Sequence, residues 1–129
     1  MSRKQDLTGK IVVVTGAARG LGAMLARQLD ARGARLALLG LEPDELAAVA
    51  ASCRDARPWR VNVTDAEGLA TVAAEVAAHF GGVDVVVANA GIANGGPLRL
   101  ADPASFDRVI EVNLLGSVRT ARAFLPHLV

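Results

Sequence analysis

The sequence predicts an α/β chain: a doubly wound parallel sheet covered by helices on both faces. Three observations carry the prediction. Two valine-rich apolar runs, residues 11–14 and 83–88, have the pattern of strands buried on both faces. Apolar stripes at helical spacing follow each expected strand. Strand and helix alternate four times with no internal linker, which in one sheet demands right-handed crossovers.

The elements follow in order. Residues 10–15 form the first strand, through Ile11, Val12, Val13 and Val14, and stop at Gly16. Leu21, Met24, Leu25 and Leu29 then mark a helix that Gly33 closes as a C-terminal cap. Residues 35–39 are the second strand. Pro43 opens a second helix with Leu46, Val49 and Ala50 on its inner face. Residues 59–63 are the third strand, weakened by Pro58. Thr64-Asp65-Ala66-Glu67 has the form of a capping box, and Leu69, Val72, Val76 and Phe80 are the stripe of the helix it starts. Gly81-Gly82 turns into the fourth strand, residues 83–88, interrupted only by Asp84. A loop rich in Gly and Asn covers residues 89–97. Asp102-Pro103 then caps a long helix bearing Phe106, Val109, Ile110, Leu114, Ala121 and Phe124, which ends before Pro126.

Composition narrows the function. A chain of 129 residues makes one domain and is too short for two. The chain is 52% hydrophobic, yet no apolar run reaches the length of a membrane span. Residues 1–6 are polar and charged with no apolar stretch behind them, which argues against a secretory signal and for a cytoplasmic protein. The net charge is +1 and the arginines are scattered, so nucleic acid has no electrostatic footprint. Cys53 is alone, which excludes an internal disulfide and a zinc site, and no metal is expected. The sequence holds no tyrosine, and both lysines, Lys4 and Lys10, precede the first strand.

The turn after the first strand reads Thr15-Gly16-Ala17-Ala18-Arg19-Gly20-Leu21-Gly22. Gly16 turns the chain off the strand, Gly20 admits a pyrophosphate to the backbone, and Gly22 lets the next helix pack close. The helix start offers N–H groups and a positive dipole end to phosphate. Glycines placed between a buried strand and a helix are a specific signal for a dinucleotide.

This Thr-Gly-x-x-x-Gly-x-Gly spacing resembles that of the short-chain dehydrogenase/reductase family. Three further segments resemble the family in the same order: Val61-Asn62-Val63-Thr64-Asp65, Asn89-Ala90-Gly91, and Asn113 within Val112-Asn113-Leu114. The resemblance extends over essentially the whole chain. It implies a Rossmann-type sheet in the strand order 3-2-1-4, incomplete because a fifth strand would pair beside the fourth. It also implies an oxidoreductase moving hydride between a nicotinamide cofactor and an alcohol or carbonyl. The residues it assigns to the cofactor are Gly16, Ala18, Arg19, Gly20, Leu21, Gly22, Asn62, Val63, Asn89, Ala90 and Gly91. Asn113 is the one catalytic-site residue it assigns. Asn62 departs from the aspartate usual in the family, whose carboxylate accepts from the adenine amino group; an amide oxygen still accepts that bond. Ala88 replaces a second asparagine common at the end of the fourth strand.

Cofactor choice is read at the end of the second strand, where an acidic side chain favours NAD over NADP. That position is Gly40, followed by Leu41, and neither recognises ribose or phosphate. Glu42 reaches the ribose only if the turn before Pro43 folds back, and otherwise favours the helix dipole. Arg19 stands where related reductases set a basic residue against the 2′-phosphate, so the balance leans slightly to NADP over NAD. The family's serine, tyrosine and lysine are not found at matching positions. Residues 1–129 are therefore expected to be a cofactor-binding domain cut before its catalytic half and inactive alone. A stand-alone dinucleotide sensor and a structural or designed half-domain are the rival readings. The open fourth strand and the last helix lead to the expectation of a homo-oligomer.

Overall fold

The computed structural model describes residues 6–92, 98–100 and 102–128. Four strands, β1 (Ile11–Thr15), β2 (Arg35–Gly40), β3 (Ala56–Arg60) and β4 (Val85–Val87), form one sheet in the order β3-β2-β1-β4. All three pairings are parallel. Among the described residues five α-helices accompany them: α1 (Gly20–Ala31), α2 (Pro43–Ala51), α3 (Ala66–Phe80), α4 (Pro103–Ile110) and α5 (Gly116–Phe124). This is the expected fold class and strand order.

Alternation along the strands divides the core in two. Ile11, Val13, Ala37 and Leu39 face α3 and α5, meeting Leu69, Val72, Val76, Phe80 and Phe124. Val12, Val14, Leu36 and Leu38 face the other way, onto Ala23 and Ala26 of α1 and Leu46 and Val49 of α2. A strand covered on both sides has no polar face, which is why β1 and β2 read as unbroken apolar runs.

Several elements differ from their expected form. On α1 the buried residues are Gly22, Ala23 and Ala26, whereas Leu21 and Met24 are exposed. The helix lies closest to the sheet at Gly22, Ala23 and Ala26, while Leu25 and Leu29 pack at the margin of the core. β3 starts three residues early and includes Pro58, which an edge strand tolerates because one side of its backbone needs no partner. The cap of α3 is Asp65, whose carboxylate accepts from Gly68 N–H at 2.9 Å, rather than Thr64. Strand β4 is shorter than expected, and just before it Asp84 is tied to β1: its Oδ2 accepts from Ile11 N–H and its own N–H donates to Ile11 C=O, both at 2.9 Å. The expected single helix after Asp102 is divided by a π-helical turn, Glu111–Leu115. Where α5 begins, Gly116 lies against Val63, and a Cβ there would stand 2.7 Å from Val63 Cγ2.

Beyond α5 the chain returns to the sheet. Val83 N–H donates to His127 C=O at 3.2 Å, and Val83 bridges Leu128 in parallel. Leu128 thus enters the place expected for a fifth strand, on the side of β4 away from β1. Val85, Phe106, Ile110, Leu114 and Val118 remain exposed.

Candidate functional site

A cleft of about 950 Å³ opens across the C-terminal ends of the strands. Its floor is the glycine turn between β1 and α1. One wall comes from the end of β2, Gly40 to Glu42, and from residues 61–64 after β3. The opposite wall comes from residues 89–92 after β4, and from Asp107, Arg108, Glu111 and Val112. The chain winds outward in both directions from β1, so the cleft lies where ligands bind in open α/β sheets.

The floor is the uncapped start of α1. Arg19, the N-cap of α1, makes no side-chain cap, and the first turn of α1 holds no acidic residue. By contrast, α2 begins with Asp44 and Glu45, while α3 and α4 begin with capping aspartates, Asp65 and Asp102. Of these four, α1 is the one with neither an acidic residue in its first turn nor a capping aspartate; α2 also lacks a side-chain cap but carries Asp44 and Glu45 there. A backbone that needs an external acceptor at this turn fits a pyrophosphate.

The turn is locked by its neighbours. Gly22 packs where a Cβ would sit 2.0 Å from Gly16 C=O. Gly20 has φ +58° and nothing within 4 Å of its Cβ direction, so its requirement is conformational. The hydroxyl of Thr15, which is buried, accepts from the N–H groups of Asn89 and Ala90, each at 2.9 Å. Asn89 Nδ2 donates back to the carbonyls of Thr15 and Gly16 at 3.3 and 3.4 Å. The ends of β1 and β4 are thereby fastened together.

Ten of the eleven residues assigned to the cofactor line this cleft; Gly20 borders an adjacent groove between α1 and α2 instead. Arg19 is not free at the rim. Its guanidinium donates to Glu42 and lies 3.5 Å from Glu45. The hydrogen bond to Glu42, followed by the charges of Glu42 and Glu45, raises the Arg19 pKa. The same bond lowers the Glu42 pKa. Glu42 therefore does fold back towards the cleft.

Asn62 Oδ1 accepts from both the N–H and the hydroxyl of Thr64, at 3.0 and 2.8 Å. Asn113 stands behind the cleft rather than in it. Its Oδ1 accepts from Ile92 N–H and its Nδ2 donates to Ile92 C=O, both at 2.8 Å. The carboxamide thus braces the segment after β4. Residues 93–97 of the expected Gly/Asn loop lie outside the described residues.

Sequence reasoning missed Thr15, Asp107, Arg108 and Glu111. Thr15 carried a signal, a hydroxyl ending an otherwise apolar strand. The charged trio reads as the solvent face of a helix and reaches the cleft only through tertiary packing. Among the described residues, no group of three or more His, Cys, Asp or Glu could hold a metal, and no helix is long and apolar enough to cross a membrane.

A family model described as short chain dehydrogenase matches residues 10–129. Versicolorin reductase 1 of Aspergillus parasiticus is 38% identical over 99% of this chain and 51% of its own length. The cis-4-hydroxycyclohexanecarboxylate dehydrogenase of Sinomonas cyclohexanicum is 42% identical over 92% of this chain and 49% of its own. Among solved structures, an alcohol dehydrogenase from Thermococcus sibiricus complexed with 5-hydroxy-NADP superposes with TM-score 0.87 at 38% identity, covering 92% of this chain and 52% of that one. Carveol dehydrogenase from Mycobacterium avium in complex with NAD superposes with TM-score 0.91 at 27% identity, covering 97% and 51%. The chain spans about half the length of the curated relatives it matches.

Proposed function

This chain belongs to the short-chain dehydrogenase family, and on that premise we propose that it is the dinucleotide-holding part of an NAD(P)-dependent oxidoreductase acting on an alcohol or carbonyl. The observation that carries the proposal is the uncapped start of α1 facing the cleft floor. The pyrophosphate rests on the N–H groups there. The adenosine half lies over β2 towards residues 61–64, and the nicotinamide half over residues 89–92. When bound, the nicotinamide supplies or accepts the hydride. Thr15 and Asn89 hold the two strand ends at fixed separation. Asn113 is a positioning residue that keeps Ile92 in place beside the nicotinamide half.

Cofactor choice rests on the Arg19–Glu42 pair. A 2′-phosphate draws Arg19 away from Glu42 and meets repulsion from two carboxylates, Glu42 and Glu45. An unphosphorylated ribose leaves the pair intact and offers hydroxyls to Glu42. The chain therefore takes both cofactors, and the slight lean to NADP depends on Arg19 alone. Arg19→Ala is expected to weaken NADPH about tenfold more than NADH, because a guanidinium–phosphate bond is charge-assisted. Glu42→Gln is expected to strengthen NADPH about fivefold while weakening NADH, since it removes one repelling charge. Calorimetric titration of both variants measures this, and equal changes for the two cofactors would refute the assignment.

We also propose that the chain associates with a second copy through Phe106, Ile110, Leu114 and Val118, four exposed apolar side chains on consecutive helical turns. Light scattering should show the mass rising with concentration. A well-folded monomer at every concentration rules this out.

A further inference from the structure

The cleft wall that follows Asp102 is held differently from the others. From Asp102 to Leu115 no described residue is buried, through the whole of α4 and the π-helical turn. Burial resumes only in α5, at Gly116, Thr120 and Phe124. Among the described residues, what fastens the wall is the Asn113 carboxamide on Ile92, Val112 against the margin of the core, and the Glu111–Arg119 ion pair. A helix with so little buried surface loosens at low cost.

This wall has two faces. Asp107, Arg108, Glu111 and Val112 line the cleft. Phe106, Ile110, Leu114 and Val118, on successive helical turns, are exposed on a second face. Two copies laid antiparallel about Leu114 match Ile110 with Val118 across a twofold axis. The same pairing sets Asp107 of each copy beside Arg122 of the other. Both residues are exposed, and neither has an ion-pair partner among the described residues. The face is thus complementary in charge to itself, which selects a second copy as its occupant. Where α5 begins, the wall also bears on the cleft segment after β3, because Gly116 meets Val63 with no room for a Cβ between them.

Resting on both the dinucleotide and the self-association readings above, we infer that the two events are linked. A second copy seated on the outer face orders the wall, and the ordered wall holds the dinucleotide more tightly. Whichever binds first meets the ordering cost, and the next is spared it. Linkage is reciprocal, so the cofactor strengthens association in turn.

The test is titration of NADPH, followed by the fluorescence of the reduced nicotinamide, at chain concentrations below and above the association midpoint found by light scattering. Binding should tighten by about fivefold or more between the two, and saturating NADPH should move the midpoint to lower concentration. Ile110→Lys puts a charge on the outer face at a residue outside the cleft lining. It should stay monomeric and bind at the weaker level at every concentration. Should it fold poorly, Arg122→Glu on α5 tests the same face and should shift both association and NADPH affinity in the same direction. Association accompanied by an NADPH affinity that does not change overturns the link and leaves both parent readings standing. A folded monomer at every concentration ends the self-association reading and the link with it, whereas a folded chain that associates and binds no NADPH ends the dinucleotide reading instead.

Discussion

Gly22→Ala is expected to lower the melting temperature by about 10 °C, corresponding to a loss of about 3 kcal/mol for a domain of this size. The added methyl would stand 2.0 Å from the carbonyl oxygen of Gly16 and 2.7 Å from Asn89 Nδ2. Neither neighbour is free to withdraw. Gly16 is backbone, and Asn89 is tied to the end of β1 through the Thr15 hydroxyl and its own donations. Relief requires α1 to lift from the sheet, which opens the packing of Ala23 and Ala26 against β1 and β2. Gly20→Ala provides the contrast. Its Cβ meets nothing within 4 Å, and only the positive φ is strained, at about 1 kcal/mol. Thermal melts of both variants separate the two roles. A Gly22→Ala chain melting within about 2 °C of its parent would show that the turn is looser than its geometry.

The sequence made some of this legible and hid the rest for physical reasons. β1 and β2 are covered on both faces, so β-branched and aliphatic residues alone announce them. β3 lies at the sheet edge with Arg57, Pro58 and Arg60 in its five residues, and its strand character comes from pairing with β2 rather than from its own pattern. Periodicity marks large apolar residues, and of those on α1 Leu25 and Leu29 pack at the margin of the core while Leu21 and Met24 are exposed, because the closest helix–sheet contact selects Gly22, Ala23 and Ala26. Leu21 is exposed because it lines the cleft.

The site divides along the same line. Gly16 to Gly22 is one continuous segment whose chemistry is local, so its order along the chain suffices to find it. The partners that set its electrostatics are distant: Glu42 lies 23 residues from Arg19, and Ile92 lies 21 from Asn113. No spacing rule links such pairs. Asn62 was read as an acceptor because its type permits it. Its oxygen is committed to Thr64, two residues away, which only the folded turn reveals.

We propose that this chain holds the cofactor without completing the reaction, and a single mixture tests both halves of that proposal. Reduction of a ketone needs a proton donor beside the oxygen that receives charge. The sequence has no tyrosine, and the described lining of the cleft contains no lysine, histidine or cysteine. His79 packs against Trp59 and Phe80 away from the cleft, and the thiol of Cys53 has its pKa raised by burial. NADPH titrated into the chain with a small ketone present, followed by the fluorescence of the reduced nicotinamide, should give a saturable enhancement that then stays constant for hours. A folded chain that produces no enhancement would contradict the binding site, and an enhancement that decays as NADPH is consumed would contradict the missing proton donor.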